Sequence, residues 1–378
     1  MALALYCPNC GYYEREEDII GRRGDYYTSA SVGNLFGELL ALQFAAWLEA
    51  GAEAGRPQIV EAGAHGGSLA RDILTWMLRY RPALYDRMQY CIVEPSEKRR
   101  AWQRRTLAEF GDKVRWVEKL GALPGAADSQ ASGLMPAGIR GIIFSNELLD
   151  AMPVRRLGWD AKRRAWFEWG VTLQAGRFAW TRLGAEGLAV ALPELLKEFP
   201  QLQPPQAGEL LPVLPDGFTL EVSPAAKQWW REAALALHSG KLVAIDYGLT
   251  ADELLVPERK EGTLRAFRHH RPSGDVLACP VEQDVTAHVN FTAIRAAGES
   301  AGLNTEALET QAQFLTRIAA RTWQKETPFA EWTPDRTRQF QTLTHPEHLG
   351  RSFRVLVQSR SAVPPKQIVG DGGCGVQQ

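Results

Sequence analysis

The sequence has 378 residues, of which 45% are hydrophobic and 23% are charged, and its formal net charge is −1. A chain of this length forms one enlarged domain or two, with a core large enough to need neither disulfides nor a structural metal. The near-zero charge argues against a general nucleic-acid-binding protein, which needs a basic excess to neutralise phosphates.

The sequence pattern indicates neither membrane insertion nor secretion. Its uncharged apolar runs fall short of the ~18–20 residues that span a bilayer. The first residues lack the basic region of a secretory signal. The five cysteines are few for this length and odd in number, which is typical of a reducing cytoplasm. We therefore expect a cytoplasmic protein.

The first 56 residues contain one clear helical pattern. Residues 35–48 repeat apolar side chains at helical spacing, and Gly51 predicts the end of this helix. A turn-rich stretch of polar and aromatic residues, 24–29, precedes it. We interpret residues 1–56 as an N-terminal helical segment.

From residue 57 onward, short apolar runs alternate with amphipathic stretches. The predicted elements are, in order, strand 58–61, helix 68–80, strand 90–94, helix 96–110, strand 114–117 and strand 141–145. Strands that are separated by helices are typical of parallel βαβ units with helices on both faces of the sheet. Residues 57–153 are therefore the first part of a predicted α/β domain.

The alternation of strands and helices breaks after residue 153, and we interpret residues 154–215 as an insertion. It contains two runs that alternate like antiparallel strands and one helix, at 166–169, 177–180 and 186–199. The α/β pattern returns over residues 216–360. Its predicted elements are helix 224–237, strand 241–246, helix 292–301 and strand 353–358. Residues 361–378 are rich in Pro, Gly and Gln and predict a disordered tail.

A glycine-rich turn follows the first predicted strand of the α/β domain, at residues 61–68. Gly63 and Gly67 would let a ligand approach the backbone beside the N-terminus of the next helix. The spacing fits neither the dinucleotide fingerprint nor the phosphate loop. Glu61 disfavours a pyrophosphate and suits a cationic group, such as the ammonium of an amino-acid-like cofactor. The alternative is a plain strand-to-helix turn.

Glu94 closes the second predicted strand of this domain. In open α/β sheets, an acidic residue at this point accepts hydrogen bonds from a ribose diol. Together with the glycine turn, Glu94 indicates a nucleoside-type cofactor. A strand-end carboxylate that is merely solvated is the alternative.

Further acidic residues follow two other predicted strands. Asn146 and Glu147 come at the end of the fourth strand, and we expect Asp150 one helical turn later on the same side. Asp246 ends a later strand and should project at the same edge of the sheet. Carboxylates that face a cleft can orient a cationic acceptor or take up its proton. Helix capping by Asn146 is the alternative.

Two cysteines near the N-terminus, Cys7 and Cys10, resemble half of a zinc ribbon. The sequence has no second pair of cysteine or histidine ligands at a suitable distance. We therefore predict no metal site.

Taken together, these residues resemble the MidA family of S-adenosylmethionine-dependent methyltransferases, which includes the mitochondrial complex I assembly factor that methylates protein arginine. The general methyltransferase pattern is Glu61-Ala62-Gly63-Ala64 with Glu94. Five further blocks carry the likeness to MidA proteins, at residues 4–13, 24–29, 145–153, 262–267 and 284–291.

The resemblance implies a class I methyltransferase fold, which is a Rossmann-like α/β sheet with an N-terminal helical segment and inserted β and helical elements. It also implies S-adenosyl-L-methionine as cofactor, and residues 353–358 as an antiparallel last strand. The cofactor-binding residues that it implies are Asp25, Thr28, Ser29, Glu61, Gly63, Gly67, Glu94 and Asn146. The implied catalytic residues, facing the acceptor, are Glu147, Asp150 and Asp246.

The resemblance implies methyl transfer to arginine in a protein substrate, with a complex I subunit as the implied partner. His65 stands where the family usually has the second glycine of the loop. If that position requires positive φ, His65 should weaken cofactor binding or rearrange the loop. His65 therefore favours one alternative, an inactive methyltransferase fold that serves as an assembly or scaffold protein. A second alternative is a small-molecule methyltransferase, which a closed pocket too narrow for a peptide loop would favour. The oligomeric state stays open.

Overall fold

The structure is a computed structural model and describes residues 1–14, 28–51, 56–123, 138–268 and 271–361. The predicted disordered tail lies, from residue 362 onward, outside the described residues. The helices are α1 Ala2–Tyr6, α2 Leu35–Ala50, α3 Ser68–Tyr80, α4 Pro82–Arg87, α5 Glu97–Thr106, α6 Ala185–Glu198, α7 Ala207–Leu210, α8 Pro224–Ala236, α9 Ala251–Leu254, α10 Phe291–Ser300, α11 Gln311–Arg321, α12 Pro334–Thr344 and α13 Leu349–Ser352.

The strands form three sheets. They are β1 Gln58–Ala62, β2 Gln89–Val93, β3 Val114–Val117, β4 Ile139–Asn146, β5 Arg155–Asp160, β6 Ala165–Gln174, β7 Arg177–Arg182, β8 Thr219–Val222, β9 Leu237–Leu249, β10 Arg265–Arg268, β11 Arg271–Ser273, β12 Asp284–Thr286, β13 Val289–Asn290, β14 Asn304–Thr310 and β15 Phe353–Arg360.

The central sheet has the order β3-β2-β1-β4-β9-β15-β14, with β13 paired to β9. The five neighbouring strands β3, β2, β1, β4 and β9 are parallel, which confirms the predicted βαβ units. β15 runs antiparallel to β9, as the resemblance implied, and β14 runs antiparallel to β15. The carboxyl ends of β1, β2, β4 and β9 consequently meet at one edge of the sheet.

The apolar core lies on both faces of this sheet. Neighbouring residues of one strand point to opposite faces, so Ile59 and Phe144 join one buried cluster while Val60 and Ile143 join the other. The helix α2 packs against the first of these clusters and is buried almost all round. Both faces of the central strands are therefore buried, which explains why these strands are short continuous apolar runs in the sequence.

The insertion forms an antiparallel sheet in the order β7-β6-β5-β8, with α6 packed against β6. The predicted antiparallel strands and helix of this segment are confirmed. The fourth strand of the sheet, β8, comes after residue 215. The division of the chain at residues 153 and 215 itself stays a prediction.

The predicted strands and helices of the central sheet agree with the observed ones, apart from shifts at their ends and a 3₁₀ segment that follows α5. The sequence did not predict β14, whose mostly polar residues form an edge strand without a clear apolar run. Within the described ranges, each helix is too short or too polar to cross a membrane.

Candidate functional site

A cavity of about 830 Å³ lies at the carboxyl ends of β1, β2 and β4. Its size is that of a pocket for a small molecule or cofactor. The residues around it include Tyr6, Pro8, Tyr13, Thr28, Glu61, Gly63, His65, Glu94, Arg99, Glu118, Asn146, Glu147 and Trp229. The topology therefore brings together residues that the sequence separates by more than a hundred positions.

The glycine loop forms the floor of this cavity. Gly63 has a φ of 77°, and a Cβ at this position would lie 3.0 Å from Cδ1 of Leu148. Gly67 has a φ of 85° and precedes the first residue of α3. Both glycines are needed because left-handed backbone and close approach exclude most side chains. Gly63 lines the cavity, whereas Gly67 is not among the described residues that line it.

Glu61 is a buried carboxylate at the end of β1 that lines the cavity. The hydroxyl of Tyr90 donates a hydrogen bond of 2.7 Å to its Oε2. Burial raises the pKa of Glu61 to about 7, and the bond from Tyr90 opposes this shift. A cationic ligand group beside Glu61 would stabilise its charged form.

Glu94 follows β2 and is also buried against the cavity. Its Oε1 accepts a hydrogen bond from the backbone N–H of Ser96 at 3.0 Å, and its Oε2 accepts one from Gln103 at 3.2 Å. These two donors orient the carboxylate, while burial raises its pKa. The geometry is suited to accepting hydrogen bonds from a pair of hydroxyl groups.

His65 adopts the left-handed backbone that the sequence analysis considered, with a φ of 45°. Its backbone carbonyl accepts a hydrogen bond of 2.8 Å from Gln103, and its ring lies edge-on to Trp102, with the centroids 5.0 Å apart. Burial, with a smaller effect of the Arg99 charge, lowers the pKa of His65 to about 3. A neutral ring thus occupies the glycine position, and the cavity beside it is retained.

Glu147 lines the cavity directly after β4 and has a φ of 53°. Its Oε1 accepts hydrogen bonds from the backbone N–H of Ser29 at 2.9 Å and from Asn146 at 3.1 Å. Burial raises the pKa of Glu147 to about 8, and the nearby charge of Asp246 raises it further. The carboxyl group is therefore held in place with a strong affinity for a proton.

Asp246 lies beneath the turn that begins at Glu147. Its Oδ2 accepts hydrogen bonds from the backbone N–H groups of Leu148 and Leu149 at 3.1 and 2.8 Å, and its Oδ1 accepts one from Tyr247 at 2.8 Å. Burial raises its pKa to about 7, although these bonds lower it. Asp246 thus organises the turn and lies outside the set of described residues that line the cavity.

The prediction of a helical turn from Glu147 to Asp150 is wrong, because residues 147–152 form bends and turns instead of a helix. The left-handed backbone at Glu147 and the backbone bonds to Asp246 prevent a helix from starting there. Asp150 is nevertheless buried close to the other carboxylates, and burial followed by the charges of Asp246 and Asp284 raises its pKa. It too lies behind the described residues that line the cavity.

The sequence analysis did not assign a role to Asp284. This residue begins β12, is buried, and accepts a hydrogen bond of 2.6 Å from the hydroxyl of Tyr13. Both residues belong to blocks that carry the family likeness, and this was the available signal for them. The structure therefore places four carboxylates together, those of Glu147, Asp150, Asp246 and Asp284.

The structure describes two of the three cofactor-binding residues that were predicted in the N-terminal segment. Thr28 lines the cavity, and the backbone of Ser29 bonds to Glu147. Asp25 lies outside the described residues. Among the residues that the structure describes, no group of three or more His, Cys, Asp or Glu could hold a metal ion.

Comparison with known proteins decides the family. A model of a family described as S-adenosyl-L-methionine-dependent methyltransferase matches residues 39–308. The chain belongs to this family. The resemblance to MidA methyltransferases and the expected cofactor, S-adenosyl-L-methionine, are thereby confirmed.

Two solved structures from Burkholderia thailandensis are similar to this MidA methyltransferase. One, bound to S-adenosyl-homocysteine, is 30% identical and has a TM-score of 0.76, over 96% of this chain and 87% of its own. The other, a native structure of an uncharacterized protein, is 29% identical with a TM-score of 0.73, over 96% and 86%. The class I methyltransferase fold is therefore confirmed.

The sequence relatives of this methyltransferase include two proteins named protein arginine methyltransferase NDUFAF7, mitochondrial, or its homolog. The Drosophila melanogaster protein is 26% identical over 385 residues, which cover 94% of this chain and 79% of that protein. The Mus musculus protein is 29% identical over 311 residues, which cover 78% of this chain and 64% of that protein.

These names contradict the cytoplasmic location that the cysteine content led us to expect. The physical reason is that few cysteines indicate a reducing environment and do not identify the compartment.

The cavity of this methyltransferase fits its cofactor. The two carboxylates at the strand ends match the cationic and hydroxyl-bearing groups of S-adenosylmethionine, and a Cβ at Gly63 would narrow the space between the loop and Leu148. Glu61 and Glu94 would hold the amino-acid and ribose parts, respectively. These two assignments stay predictions.

Proposed function

We propose that this methyltransferase transfers a methyl group to an arginine side chain of a protein substrate. The observation that carries the proposal is a group of neighbouring carboxylates at the cavity. Glu147 lines the cavity, and the buried carboxylates of Asp150, Asp246 and Asp284 lie close to it. Such a group is costly to ionise without a cation nearby. A guanidinium is a planar cation that a carboxylate can bind through two hydrogen bonds.

The names of the Drosophila melanogaster and Mus musculus relatives support an arginine acceptor. By the resemblance to the MidA family, a subunit of respiratory complex I is the acceptor protein to test first. The scaffold alternative depended on His65, whose backbone does adopt positive φ, but the cavity beside this residue leaves room for the cofactor and so supports the enzyme.

The chemistry required of the protein is mainly positioning and proton uptake. S-adenosylmethionine supplies an electrophilic methyl group when bound. Glu147 would orient the guanidinium and take up the proton that the methylated nitrogen releases, since the pKa of free arginine is above ~12. Asp246 would keep Glu147 in position through the turn, and Asp150 would add negative charge behind it.

The proposal is tested by incubating the purified protein with isotope-labelled S-adenosylmethionine and isolated complex I, followed by peptide mass spectrometry. We expect label on arginine nitrogen and a loss of about 100-fold or more in Glu147→Gln, in line with a missing general base. Binding of S-adenosylhomocysteine should change little in this variant. Glu109→Gln, which alters an exposed carboxylate outside the described residues that line the cavity, is the matched control.

Two results would contradict the proposal. One is label on a lysine, a carboxylate or a small molecule in the same reaction. The other is an unchanged rate of arginine labelling in Glu147→Gln.

A further inference from the structure

Residues 1–14, which we call the N-terminal strap, form one wall of the cofactor cavity. Tyr6 and Tyr13 both line the cavity, and the hydroxyl of each donates a hydrogen bond to a residue far along the chain. Tyr6 donates to the backbone carbonyl of Ala151 at 2.9 Å, and Tyr13 donates to Asp284 at 2.6 Å. The conformation of the strap between these tyrosines therefore affects the shape of the cavity.

A tight turn that reverses the strap lies between the two tyrosines, with a cysteine at each end. The backbone carbonyl of Cys7 accepts hydrogen bonds from the N–H groups of Cys10 at 3.2 Å and Gly11 at 2.7 Å. A turn of this kind brings the end Cα atoms within ~7 Å, which is the range that a disulfide can bridge. A Cβ at Gly11 would lie 2.6 Å from the backbone nitrogen of Cys7, so the turn is closely packed.

The two thiols differ in acidity and contact each other. The backbone N–H of Asn9 and then the Cys10 thiol donate to Cys7 and lower its pKa, whereas the same contact raises the pKa of Cys10. Cys10 is exposed and Cys7 is partly exposed. In contrast, burial raises the pKa of the Cys91 thiol to about 11. Cys7 is therefore the more acidic of the two thiols, and the Cys10 thiol lies within reach of it.

A zinc ion is a poor candidate for this pair. A structural zinc site needs four ligands. Over the ranges that the structure describes, no cluster of three potential metal ligands is found. The arrangement agrees better with a dithiol that cycles with a disulfide.

We propose that Cys7 and Cys10 are a redox-active pair whose oxidation closes a disulfide across the turn of the N-terminal strap, beside the cofactor cavity. The oxidant is a low-molecular-weight disulfide. The Cys7 thiolate attacks one sulfur of that disulfide and releases one thiolate; the Cys10 thiolate then attacks Cys7 and releases the second. Two protein thiols are oxidised, one disulfide is reduced, and the two protons pass to the released thiols.

A disulfide across the turn would remove alternative conformations of the segment between Tyr6 and Tyr13. A preorganised wall should slow ligand escape from the cavity. The inference does not depend on the acceptor of the methyl group.

The test uses the full chain with Cys279→Ser and Cys374→Ser, so that the buried Cys91 is the one cysteine left besides Cys7 and Cys10. After incubation with oxidised glutathione, we expect a mass that is lower by two hydrogen atoms, without a glutathione adduct, and full recovery with dithiothreitol. In the same background, Cys10→Ser should hold one glutathione on Cys7. Retention of both thiols, or a stable adduct on both cysteines, would overturn the proposal.

The second measurement is the dissociation rate of S-adenosylhomocysteine, followed by tryptophan fluorescence. We expect dissociation to be about threefold slower from the oxidised protein, as preorganisation implies. The same treatment should not change the rate in the variant that also carries Cys7→Ser and Cys10→Ser. Equal rates from the oxidised and reduced forms would refute the effect on the cavity.

Discussion

At the scale of single residues, two buried carboxylates with different hydrogen-bond partners line the cavity. Glu94 is oriented by two donors from the following segment, whereas Glu61 has the Tyr90 hydroxyl. Both carboxylates are costly to ionise in the free protein because burial raises their pKa. A ligand with suitable hydrogen-bond donors should lower the free-energy cost of ionising these carboxylates. The two residues give separate predictions.

Replacement of Glu94 by glutamine should weaken the binding of S-adenosylhomocysteine. A hydrogen bond to a charged group contributes about 1.5–3 kcal/mol, so the dissociation constant should rise by about 10- to 100-fold. Isothermal titration calorimetry measures this change. Glu109→Gln, at an exposed position in the segment after α5, is the control. Unchanged affinity in Glu94→Gln would show that this carboxylate does not hold the ribose.

Replacement of Glu61 by glutamine should stabilise the ligand-free protein at pH 8 and leave it unchanged at pH 4. The pKa of Glu61 rises from 4.5 to about 7 on folding, so the folded state binds the proton more tightly. The free energy of unfolding therefore falls as the pH rises from about 4.5 to 7. The Glu61→Gln variant does not suffer this loss and should be more stable than the wild-type protein at pH 8 by about 2–3 kcal/mol. Its amide oxygen can still accept the hydrogen bond from Tyr90.

Urea denaturation at both pH values measures the difference for Glu61→Gln. Glu109→Gln should show no difference at either pH. An equal effect of Glu61→Gln at pH 4 and pH 8 would mean that the carboxyl does not titrate in this range. Loss of cofactor binding in the stabilised variant would identify Glu61 as a residue kept for function at the expense of stability.

At the scale of elements, the packing of α2 against α3 depends on close approach at Gly37. A Cβ at Gly37 would lie 2.6 Å from Cβ of Asp72, which is shorter than real contacts between such atoms. The two helices can keep their separation only if this position has no side chain. Helix propensity alone favours alanine there by about 1 kcal/mol, so packing and propensity make opposite predictions.

We expect Gly37→Ala to lower the free energy of unfolding by about 1–2 kcal/mol, because overpacking costs more than propensity gains. Gly208→Ala is the matched control, since Gly208 is also helical but has no neighbour within 4 Å of an added Cβ. This control should be neutral or slightly stabilising. If both variants gained stability, the close contact between α2 and α3 would be relieved at little cost.

At the scale of the whole molecule, the insertion is joined to the methyltransferase core through a buried charge. Lys227 of α8 forms an ion pair of 2.6 Å with Glu198 and also pairs with Glu194, both on α6. Asn290 adds a hydrogen bond to Glu198. The pairing is buried on both sides, with side-chain exposures of 6% and 4% for Lys227 and Glu198.

Lys227→Ala should destabilise the protein by about 3–5 kcal/mol, because it leaves a buried carboxylate without its counter-charge. The double variant Lys227→Met with Glu198→Gln should recover part of this loss. Lys197→Met, which removes an exposed partner of Glu194, should cost less than about 0.5 kcal/mol. Hydrogen exchange would show whether the loss is confined to α6 and its sheet. A double variant as unstable as Lys227→Ala would contradict this account.

The sequence by itself determined the elements whose signal is local. Apolar runs and helical periodicity predicted the parallel strands and α3, and the glycine loop with Glu94 indicated the cofactor side. The predictions of these strands and of α3 succeeded because burial on both faces of a parallel sheet leaves a pattern within a few residues. The cofactor-binding roles of the glycine loop and Glu94 stay predictions. The block likeness to one family then extended the prediction to fold and chemistry.

Only the tertiary structure decided how the carboxylates of Glu147, Asp150, Asp246 and Asp284 are brought together. The hydrogen bonds from the backbone N–H groups of Leu148 and Leu149 to Asp246 join positions about a hundred residues apart, and the bond from Tyr13 to Asp284 joins positions 271 apart. No local period encodes such pairings, since they depend on which strands become neighbours in the sheet. For the same reason, the edge strand β14 and the turn at Glu147 could not be predicted from residue patterns alone.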